Sequence, residues 1–277
     1  MNLTYDQTSL LVQTPSWQIH TNQSGSGDQV VILLHGSGPG ATGWSNFSAN
    51  IPFLAERYRV IAADLPGWGA SSPSTWQERD HPRAVIELMD TLGIERATFI
   101  GNSMGGGTTI RLGYEYPERV DKLVTMGASS GATATFGPGG PSEGIKALQH
   151  GYREPTPQSM RELVEVMTFD SSFATDELVQ RRAEMVAAHP EHNRNFIEGI
   201  GRRPIVELDV ERVRSIRAKT LLLHGRDDRV VHFEHSLRLV SLIPDSRLVM
   251  MNRCGHWLQI EHAEEFNRLV ADFIDNA

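Results

Sequence analysis

Short apolar runs that end close to a Gly or an Asp recur through the first half of the chain, and each is typical of a buried strand. They lie at residues 30–34, 60–63, 97–100 and 123–126. Segments with helical periodicity lie between them, including residues 80–92 and residues 104–116, the second of which is stopped by Pro117. Because strands alternate with helices, we predict an α/β fold with a mostly parallel sheet flanked by helices.

This alternation is interrupted in the middle of the chain. Residues 129–141 are rich in Gly, Ser, Thr and Pro, and the chain then has helical but no strand patterns as far as about residue 209. Strand patterns return at residues 220–223 and 248–251, with helical stretches at residues 232–242 and 261–274. We therefore predict a core of residues 1–130 and 210–277, with a helical cap of residues 131–209 inserted between two core strands.

The composition is that of an ordinary globular protein, with 39% hydrophobic and 22% charged residues in a chain of 277. A net charge of -8 provides no basic surface, so we expect neither nucleic acid nor a membrane as a partner. The densest apolar run, residues 30–34, is far shorter than the roughly 20 residues that cross a bilayer. The N-terminus has no signal-peptide pattern and the single cysteine, Cys254, cannot form an internal disulfide, so we expect a cytoplasmic protein.

A nucleophile motif lies where the predicted strand at residues 97–100 meets the following helix. The sequence Gly101-Asn102-Ser103-Met104-Gly105 matches G-x-S-x-G, in which flanking glycines permit a tight turn that exposes the serine above the sheet. The alternative is a Gly-rich turn with an idle serine. Because the motif joins a strand to a helix, we predict Ser103 as the nucleophile.

A serine hydroxyl needs a base to take its proton and an acid to orient that base. Asp227 and Asp228 follow the predicted strand at residues 220–223, and His256 follows the last predicted strand. The chain order Ser, Asp, His is that of α/β-hydrolases, and each residue follows the carboxyl end of a strand. We predict His256 as the base. We predict Asp228 as the acid, because its spacing from Gly225 resembles the pattern of α/β-hydrolases. Asp227 is the competing acid, which would otherwise tighten the turn or stay solvated.

The sequence HGSGPGA at residues 35–41 follows the first predicted strand and resembles an oxyanion loop. The backbone amide of Ser37, together with that of Met104 at a helix N-terminus, would stabilise negative charge on an oxygen in the transition state. The rival interpretation is a dinucleotide fingerprint, G-x-G-x-x-A, which leaves the Ser, Asp and His residues without a role.

Two histidine clusters raise the question of a metal site. They are HPEH at residues 189–192 and HFEH at residues 232–235. Neither has two histidines four residues apart, as in H-E-x-x-H, and no cysteine accompanies them, so we favour exposed histidines over metal ligands. The triad and the oxyanion amides supply the chemistry, and we expect neither a metal nor a diffusible cofactor.

With these residues, the sequence resembles the α/β-hydrolase superfamily and, more closely, its meta-cleavage product hydrolases. The resemblance runs through almost the whole chain, and general hydrolases seldom share all of its segments. The most family-like segments are HGSGPGA (35–41), GWSN (43–46), GNSMGG (101–106), GRDDR (225–229), CGHW (254–257) and EHAEEFNRLV (261–270).

Enzymes of this family hydrolyse a carbon–carbon bond in 2-hydroxy-6-oxohexa-2,4-dienoates, which arise by meta-cleavage of aromatic rings. The resemblance implies that a small-molecule dienoate is bound by Gly38, Asn46, Asn102, Arg182 and Trp257. Arg182 would hold the substrate carboxylate, and its neighbour Arg181 is the competing assignment. The resemblance also implies a homo-oligomer.

Two functions from other classes remain open. One is an esterase or lactonase that uses the same triad, and the other is a non-catalytic ligand receptor built on this fold. Hydrolysis of simple esters in place of dienoates would favour the first, whereas turnover of any substrate would exclude the second. The cap segment that would hold the distal group of the substrate, residues 136–173, carries no motif.

Overall fold

An eight-stranded sheet forms the centre of the computed structural model, which describes residues 3–132, 135–137, 139–200 and 207–277. In chain order the strands are β1 (Ser9–Gln13), β2 (Gln18–Ser24), β3 (Val30–Leu34), β4 (Arg59–Ala63), β5 (Ala97–Asn102), β6 (Val120–Met126), β7 (Lys219–Gly225) and β8 (Ser246–Met251). Their order in the sheet is β1-β2-β4-β3-β5-β6-β7-β8. The pairs β1/β2 and β2/β4 are antiparallel. The other six strands, β3 to β8, run parallel to one another.

Helices cover both faces of this sheet. The core helices are α1 (Tyr5–Thr8), α2 (Gly43–Phe47), α3 (Ile51–Leu54), α4 (His81–Thr91), α5 (Met104–Glu115), α10 (Val210–Val213), α11 (Glu234–Leu242), α12 (Leu258–Glu261) and α13 (Ala263–Asn276). Between β6 and α10, which precedes β7, lie α6 (Glu143–Arg153), α7 (Pro157–Met167), α8 (Asp176–Ala188) and α9 (Pro190–Gly199). Two single-turn 3₁₀ helices lie at Pro117–Arg119 and Ser171–Phe173.

The two faces of the sheet bury separate apolar clusters. In β3, Ile32 and Leu34 pack into one cluster while Val31 and Leu33 pack into the other, and all four are 0% exposed. Side chains alternate between faces along a strand, so a strand that is covered on both sides is apolar at every position. This explains the continuous apolar runs in the sequence.

Local signals set the helix ends. The Asp80 carboxylate accepts a hydrogen bond from the Arg83 amide at the start of α4, and the Thr156 hydroxyl caps α7 ahead of Pro157. The helix predicted over residues 261–274 is present as α13, which begins two residues later because the chain turns at His262 after the short helix α12.

The helices α6 to α9 pack on one another between β6 and β7, where the sequence predicts a cap. Residues 133, 134, 138 and 201–206, which fall within the predicted cap of residues 131–209, lie outside the described residues. Across the described ranges, none of the helices has the length and apolar character needed to span a membrane.

Candidate active site

Ser103 lies on a tight turn between β5 and α5. Its backbone has φ 54° and ψ -112°, a strained conformation for a residue other than glycine. A Cβ atom at Gly101 would lie 2.2 Å from the Gly105 carbonyl oxygen, and one at Gly105 would lie 2.1 Å from the Leu34 carbonyl oxygen. Both glycines are therefore required by close backbone approach. The Ser103 amide donates to the Met126 carbonyl at 2.8 Å, which fixes the turn to the neighbouring strand.

His256 and Asp228 are paired in the loops that follow β8 and β7. His256 Nδ1 lies 2.7 Å from Asp228 Oδ2, and the two side chains are 2% and 1% exposed. Asp228 Oδ1 accepts hydrogen bonds from the amides of Val230 at 2.7 Å and Val231 at 2.9 Å. The carboxylate is thus held by its own loop, in a position to orient the imidazole.

His224, which the sequence did not single out, also contacts Asp228. Its Nε2 lies 3.2 Å from Asp228 Oδ2 and its Nδ1 lies 2.7 Å from Ser236 Oγ. Burial alone would raise the pKa of Asp228, but His256 and the hydrogen bonds from both histidines hold that pKa well below its ordinary value. Asp228 is therefore ionised at neutral pH. The only sequence signal for His224 is its position four residues before Asp228.

The structure separates Asp228 from its neighbour. The Asp227 amide donates to the Cys254 carbonyl at 2.9 Å, and an Asp227 carboxylate oxygen lies 3.5 Å from Arg226 Nη2. The Asp227 side chain is 29% exposed and does not contact His256. Cys254 is fully buried and burial raises the pKa of its thiol, so it is a packed residue and not a competing nucleophile.

Backbone contacts bring the histidine loop to the elbow. A Cβ atom at Gly127 would lie 2.8 Å from the His256 ring, and the preceding residue, Met126, accepts the Ser103 amide. Asn102 Nδ2 donates to the His256 carbonyl at 3.1 Å. Among the described residues, no hydrogen bond joins the Ser103 hydroxyl to His256. Such bonds are often longer before substrate binds, and the loops that carry both groups are in direct contact.

The loop after β3 lies against Ser103. A Cβ atom at Gly36 would be 3.3 Å from Ser103 Cβ, and the Gly36 amide donates to Asn46 Oδ1 at 3.2 Å. Within the described part of the chain, the amides of Ser37 and Met104 have no protein acceptor. Both amides can therefore donate to an oxygen atom of a bound molecule.

Tyr152 of α6 also holds this loop. Its hydroxyl donates to the Ser37 carbonyl at 2.5 Å and accepts a hydrogen bond from Trp68 Nε1 at 2.9 Å. Its ring stacks on Phe196, and burial raises the pKa of the hydroxyl. Tyr152 thus fixes the loop that contains Ser37. This contact joins distant segments, and no sequence pattern predicted it.

Arg182 carries a buried charge. It is 2% exposed, and its Nε and Nη2 have no hydrogen-bond partner among the described residues. Its guanidinium carbon lies 5.1 Å from the centre of the Trp257 ring, and a Cβ atom at Gly38 would lie 2.7 Å from Nη2. Burial lowers the pKa of Arg182 to about 10, which leaves it charged at neutral pH. A buried guanidinium with unpaired donors is suited to bind a carboxylate.

Arg181 has a different environment. Its side chain is 65% exposed and lies 2.5 Å from a carboxylate oxygen of Glu177, one turn earlier in α8. Consecutive residues of a helix point about 100° apart, so only one of the two arginines can face the interior. The geometry favours Arg182.

The other predicted substrate residues lie around the same loops. Asn102 is fully buried, and its Oδ1 has no partner among the residues that the structure describes. Asn46 is also buried, but its Oδ1 already accepts the Gly36 amide, so its observed contact is with the oxyanion loop. Trp257 is 4% exposed and directly follows His256.

Glu261 connects the cap to the histidine loop. Its two carboxylate oxygens accept the Gly255 amide at 2.6 Å and the Phe169 amide at 2.7 Å. The His256 amide donates to the Met167 carbonyl at 2.7 Å. Burial raises the pKa of Glu261, although these amides oppose the shift. The position of His256 is therefore tied to the segment that follows α7.

The side chains of the first histidine cluster, residues 189–192, lie closer together than their spacing in the sequence indicates. His189, Glu191 and His192 each offer a ligand atom, and these atoms lie within 4.8 Å of one another. The reason is local, because His189 precedes the first turn of α9 and its ring stacks on that of His192. In the second cluster, His235 Nδ1 lies 3.0 Å from Ser130 Oγ. That the protein needs no metal stays a prediction.

Comparison with known proteins agrees with this geometry. A family model described as the alpha/beta hydrolase fold matches residues 29–263. The 2-hydroxy-6-oxo-6-phenylhexa-2,4-dienoate hydrolase of Burkholderia cepacia is 45% identical over 266 residues, which cover 94% of this chain and 92% of that protein. The 2-hydroxy-6-oxononadienedioate/2-hydroxy-6-oxononatrienedioate hydrolase of Cupriavidus pinatubonensis is 42% identical over 265 residues, covering 94% and 91%.

Solved structures show the same likeness. A meta-cleavage product hydrolase from Pseudomonas fluorescens IP01, complexed with acetates, matches with a TM-score of 0.85 at 35% identity over 96% of this chain and 97% of that chain. A carboxylesterase from Bacillus subtilis matches with a TM-score of 0.79 at 23% identity over 99% and 96%, and it shares the fold alone.

Proposed function

The chain belongs to the α/β-hydrolase family and within it to the meta-cleavage product hydrolases, and we propose that Ser103, His256 and Asp228 are the triad with which it works. The reaction is hydrolysis of a carbon–carbon bond in a 2-hydroxy-6-oxohexa-2,4-dienoate. Water is consumed, and the products are 2-hydroxypenta-2,4-dienoate and a carboxylic acid.

The observation that carries this proposal is the buried guanidinium of Arg182, whose Nε and Nη2 have no hydrogen-bond partner among the described residues. A simple ester has no carboxylate for such a group to bind, whereas every dienoate of this class has one. Pairing a buried charge removes a large desolvation penalty, and a carboxylate can accept two parallel hydrogen bonds from one guanidinium. In our assignment Arg182 holds the carboxylate, and Gly38, Asn46, Asn102 and Trp257 surround the dienoate end.

Breaking a carbon–carbon bond requires a place for its electron pair. A 2-hydroxydienoate provides one after ketonisation, in which the 2-hydroxyl loses a proton and C5 gains one. The resulting vinylogous keto acid can release the C5–C6 electron pair into a conjugated enolate. His256, buried and oriented by ionised Asp228, is the group that carries this proton.

Ser103, or water activated by His256, then adds to the C6 ketone. The new carbon–oxygen bond forms as the carbonyl electron pair moves onto oxygen, and the amides of Ser37 and Met104 stabilise that oxyanion. Each such donor is worth on the order of 3 kcal/mol. Collapse restores the carbonyl and breaks C5–C6. On the serine route, water then hydrolyses the acyl-enzyme.

The test is a panel of dienoates with aryl and alkyl groups at C6, assayed beside p-nitrophenyl esters. We expect the purified enzyme to bleach the yellow dienolate and to release the two acids in equal amounts, far faster than it cleaves the esters. The Ser103→Ala variant is the control for turnover at the elbow. Good ester turnover with no dienoate bleached across the panel would reject the carbon–carbon hydrolase and leave the esterase.

The same proposal covers the organisation of the protein. We infer a hydrolase core of residues 1–130 and 210–277 under a cap of residues 131–209, acting as a homo-oligomer in the cytoplasm without nucleic acid. The contacts of Tyr152 with the Ser37 carbonyl and of Phe169 with Glu261 support the cap assignment. The net charge of -8 supports the absence of a nucleic-acid partner.

A further inference from the structure

A second hydrogen-bonded Ser, His and Asp triad lies in the N-terminal part of the protein. Ser9 Oγ is 2.7 Å from His20 Nε2, and His20 Nδ1 is 2.9 Å from Asp64 Oδ2. Ser9 begins β1 at the edge of the sheet, His20 lies on β2, and Asp64 follows β4. None of these residues takes part in the elbow, and the arrangement repeats the order of nucleophile, base and orienting acid.

Asp64, the acid of this second triad, is fixed as firmly as Asp228. Asp64 is 0% exposed, its Oδ1 accepts the Gly43 amide at 2.7 Å, and its Oδ2 accepts the Ala70 amide at 3.1 Å. A carboxylate that accepts two amides is held in one orientation and also accepts the proton on His20 Nδ1. With the proton assigned to Nδ1, Nε2 of His20 carries the lone pair that can accept a proton, as in the triad of a hydrolase.

The base is equally well held. His20 is 4% exposed, and the Tyr5 ring stacks on it with centroids 5.3 Å apart and planes inclined by 23°. The Tyr5 hydroxyl also lies 3.2 Å from Nε2, farther than the Ser9 hydroxyl at 2.7 Å. Ser9 itself is exposed, so a buried base and acid serve a hydroxyl that solvent can reach.

We propose that Ser9 is a second nucleophile, which takes the acyl group from activated esters. With p-nitrophenyl acetate, the Ser9 oxygen forms a bond to the acetyl carbon and the bond to p-nitrophenolate breaks. The Ser9 proton passes to His20 Nε2, where Asp64 stabilises the imidazolium, and then to the departing phenolate or to water. Ser9 begins a strand, unlike Ser103 at a helix N-terminus, so the acetyl-serine is expected to persist and not to turn over.

The experiment uses the full-length Ser103→Ala variant, which removes acylation at the elbow. The protein is treated with p-nitrophenyl acetate, and acetylated peptides are identified and quantified by mass spectrometry. We expect a burst of p-nitrophenolate that approaches one equivalent per chain, with the acetyl group on Ser9. Adding Ser9→Ala, a change at an exposed position, should abolish that burst.

Ser16 is the matched control within the same digest. It is also an exposed serine near the N-terminus. Its hydroxyl donates to a carboxylate oxygen of Glu87 at 2.8 Å and, among the described residues, has no hydrogen bond to a histidine. A His20→Gln change in the Ser103→Ala background should slow Ser9 acetylation by about 100-fold or more, the usual contribution of a general base. If that variant does not fold, as judged by circular dichroism, the Ser9 to Ser16 ratio decides alone. Acetylation of Ser9 no faster than that of Ser16, or no adduct on Ser9, would overturn the proposal.

Discussion

Replacing Arg182 with Met should stabilise the free protein and impair the enzyme. Arg182 is 2% exposed with Nε and Nη2 unpaired among the described residues, so the free protein carries a desolvation penalty for that charge. Apolar replacement of buried charged groups is neutral to stabilising by about 1–4 kcal/mol. Methionine keeps an unbranched chain against Trp257, and we expect a gain of about 1–3 kcal/mol in the free energy of unfolding.

The same change should weaken dienoate turnover strongly. Removing one partner of a buried, hydrogen-bonded charge pair costs about 2–5 kcal/mol, because the substrate carboxylate is then buried without its cation. At 1.4 kcal/mol for each factor of ten, kcat/KM for a dienoate should fall by about 30- to 4,000-fold. The rate with a p-nitrophenyl ester, which has no carboxylate, should change far less.

Thermal unfolding and steady-state kinetics on the same preparations measure both effects. A gain of 1 kcal/mol corresponds to a rise in Tm of roughly 2–4 °C for a domain of this size class. Arg181→Met is the matched control, since it removes only an exposed ion pair with Glu177 and should leave kcat/KM unchanged and stability within about 1 kcal/mol. Normal dienoate turnover by Arg182→Met, or damage from Arg181→Met alone, would refute the reasoning.

Three further outcomes are expected. Ser103→Ala should lower dienoate turnover by several orders of magnitude in a protein with unchanged circular dichroism; near-normal turnover would exclude Ser103 as nucleophile or essential hydroxyl. Asp228→Asn should lower kcat by about 10⁴-fold, because His256 loses an ionised partner whose pKa lies well below its ordinary value, while Asp227→Asn should have little effect. Exhaustive dialysis against a chelator should leave turnover unchanged; activity restored only by a divalent ion would contradict this.

The parallel part of the fold could be predicted because its strands are buried on both faces. All six strands predicted from apolar runs are present, each with the predicted residues and at most a few more. The strands β1 and β2 were not predicted. In β1 only Val12 is buried, and β2 includes polar residues such as His20 and Asn22, whose burial depends on contacts with α1 and Asp64. Strands at or next to the sheet edge, with polar or exposed positions such as these, have no strong hydrophobic pattern.

The site could be predicted where a local backbone requirement dictates the sequence. The elbow needs glycines at two fixed positions, and the order of Ser103, Asp228 and His256 follows from strand ends at one edge of the sheet. The sequence favoured Asp228 over Asp227 only through the spacing from Gly225, since the direction of each side chain depends on the turn. The contacts of Tyr152 with the oxyanion loop join segments over 100 positions apart, and such contacts leave no pattern in a single sequence.

Some of the groups that lower the stability of the free protein lie at the proposed substrate site. Folded proteins pair nearly all buried polar atoms, yet Asn102 Oδ1 and Arg182 Nε and Nη2 have no partner among the described residues. Ser103 adds a strained backbone at φ 54° in the same place. A bound carboxylate would pair the guanidinium, and an oxyanion would accept hydrogen bonds from the amides of Ser37 and Met104. The continuous apolar core on both sheet faces supplies the stability that tolerates these features, so the fold and the site place opposite demands on the same chain.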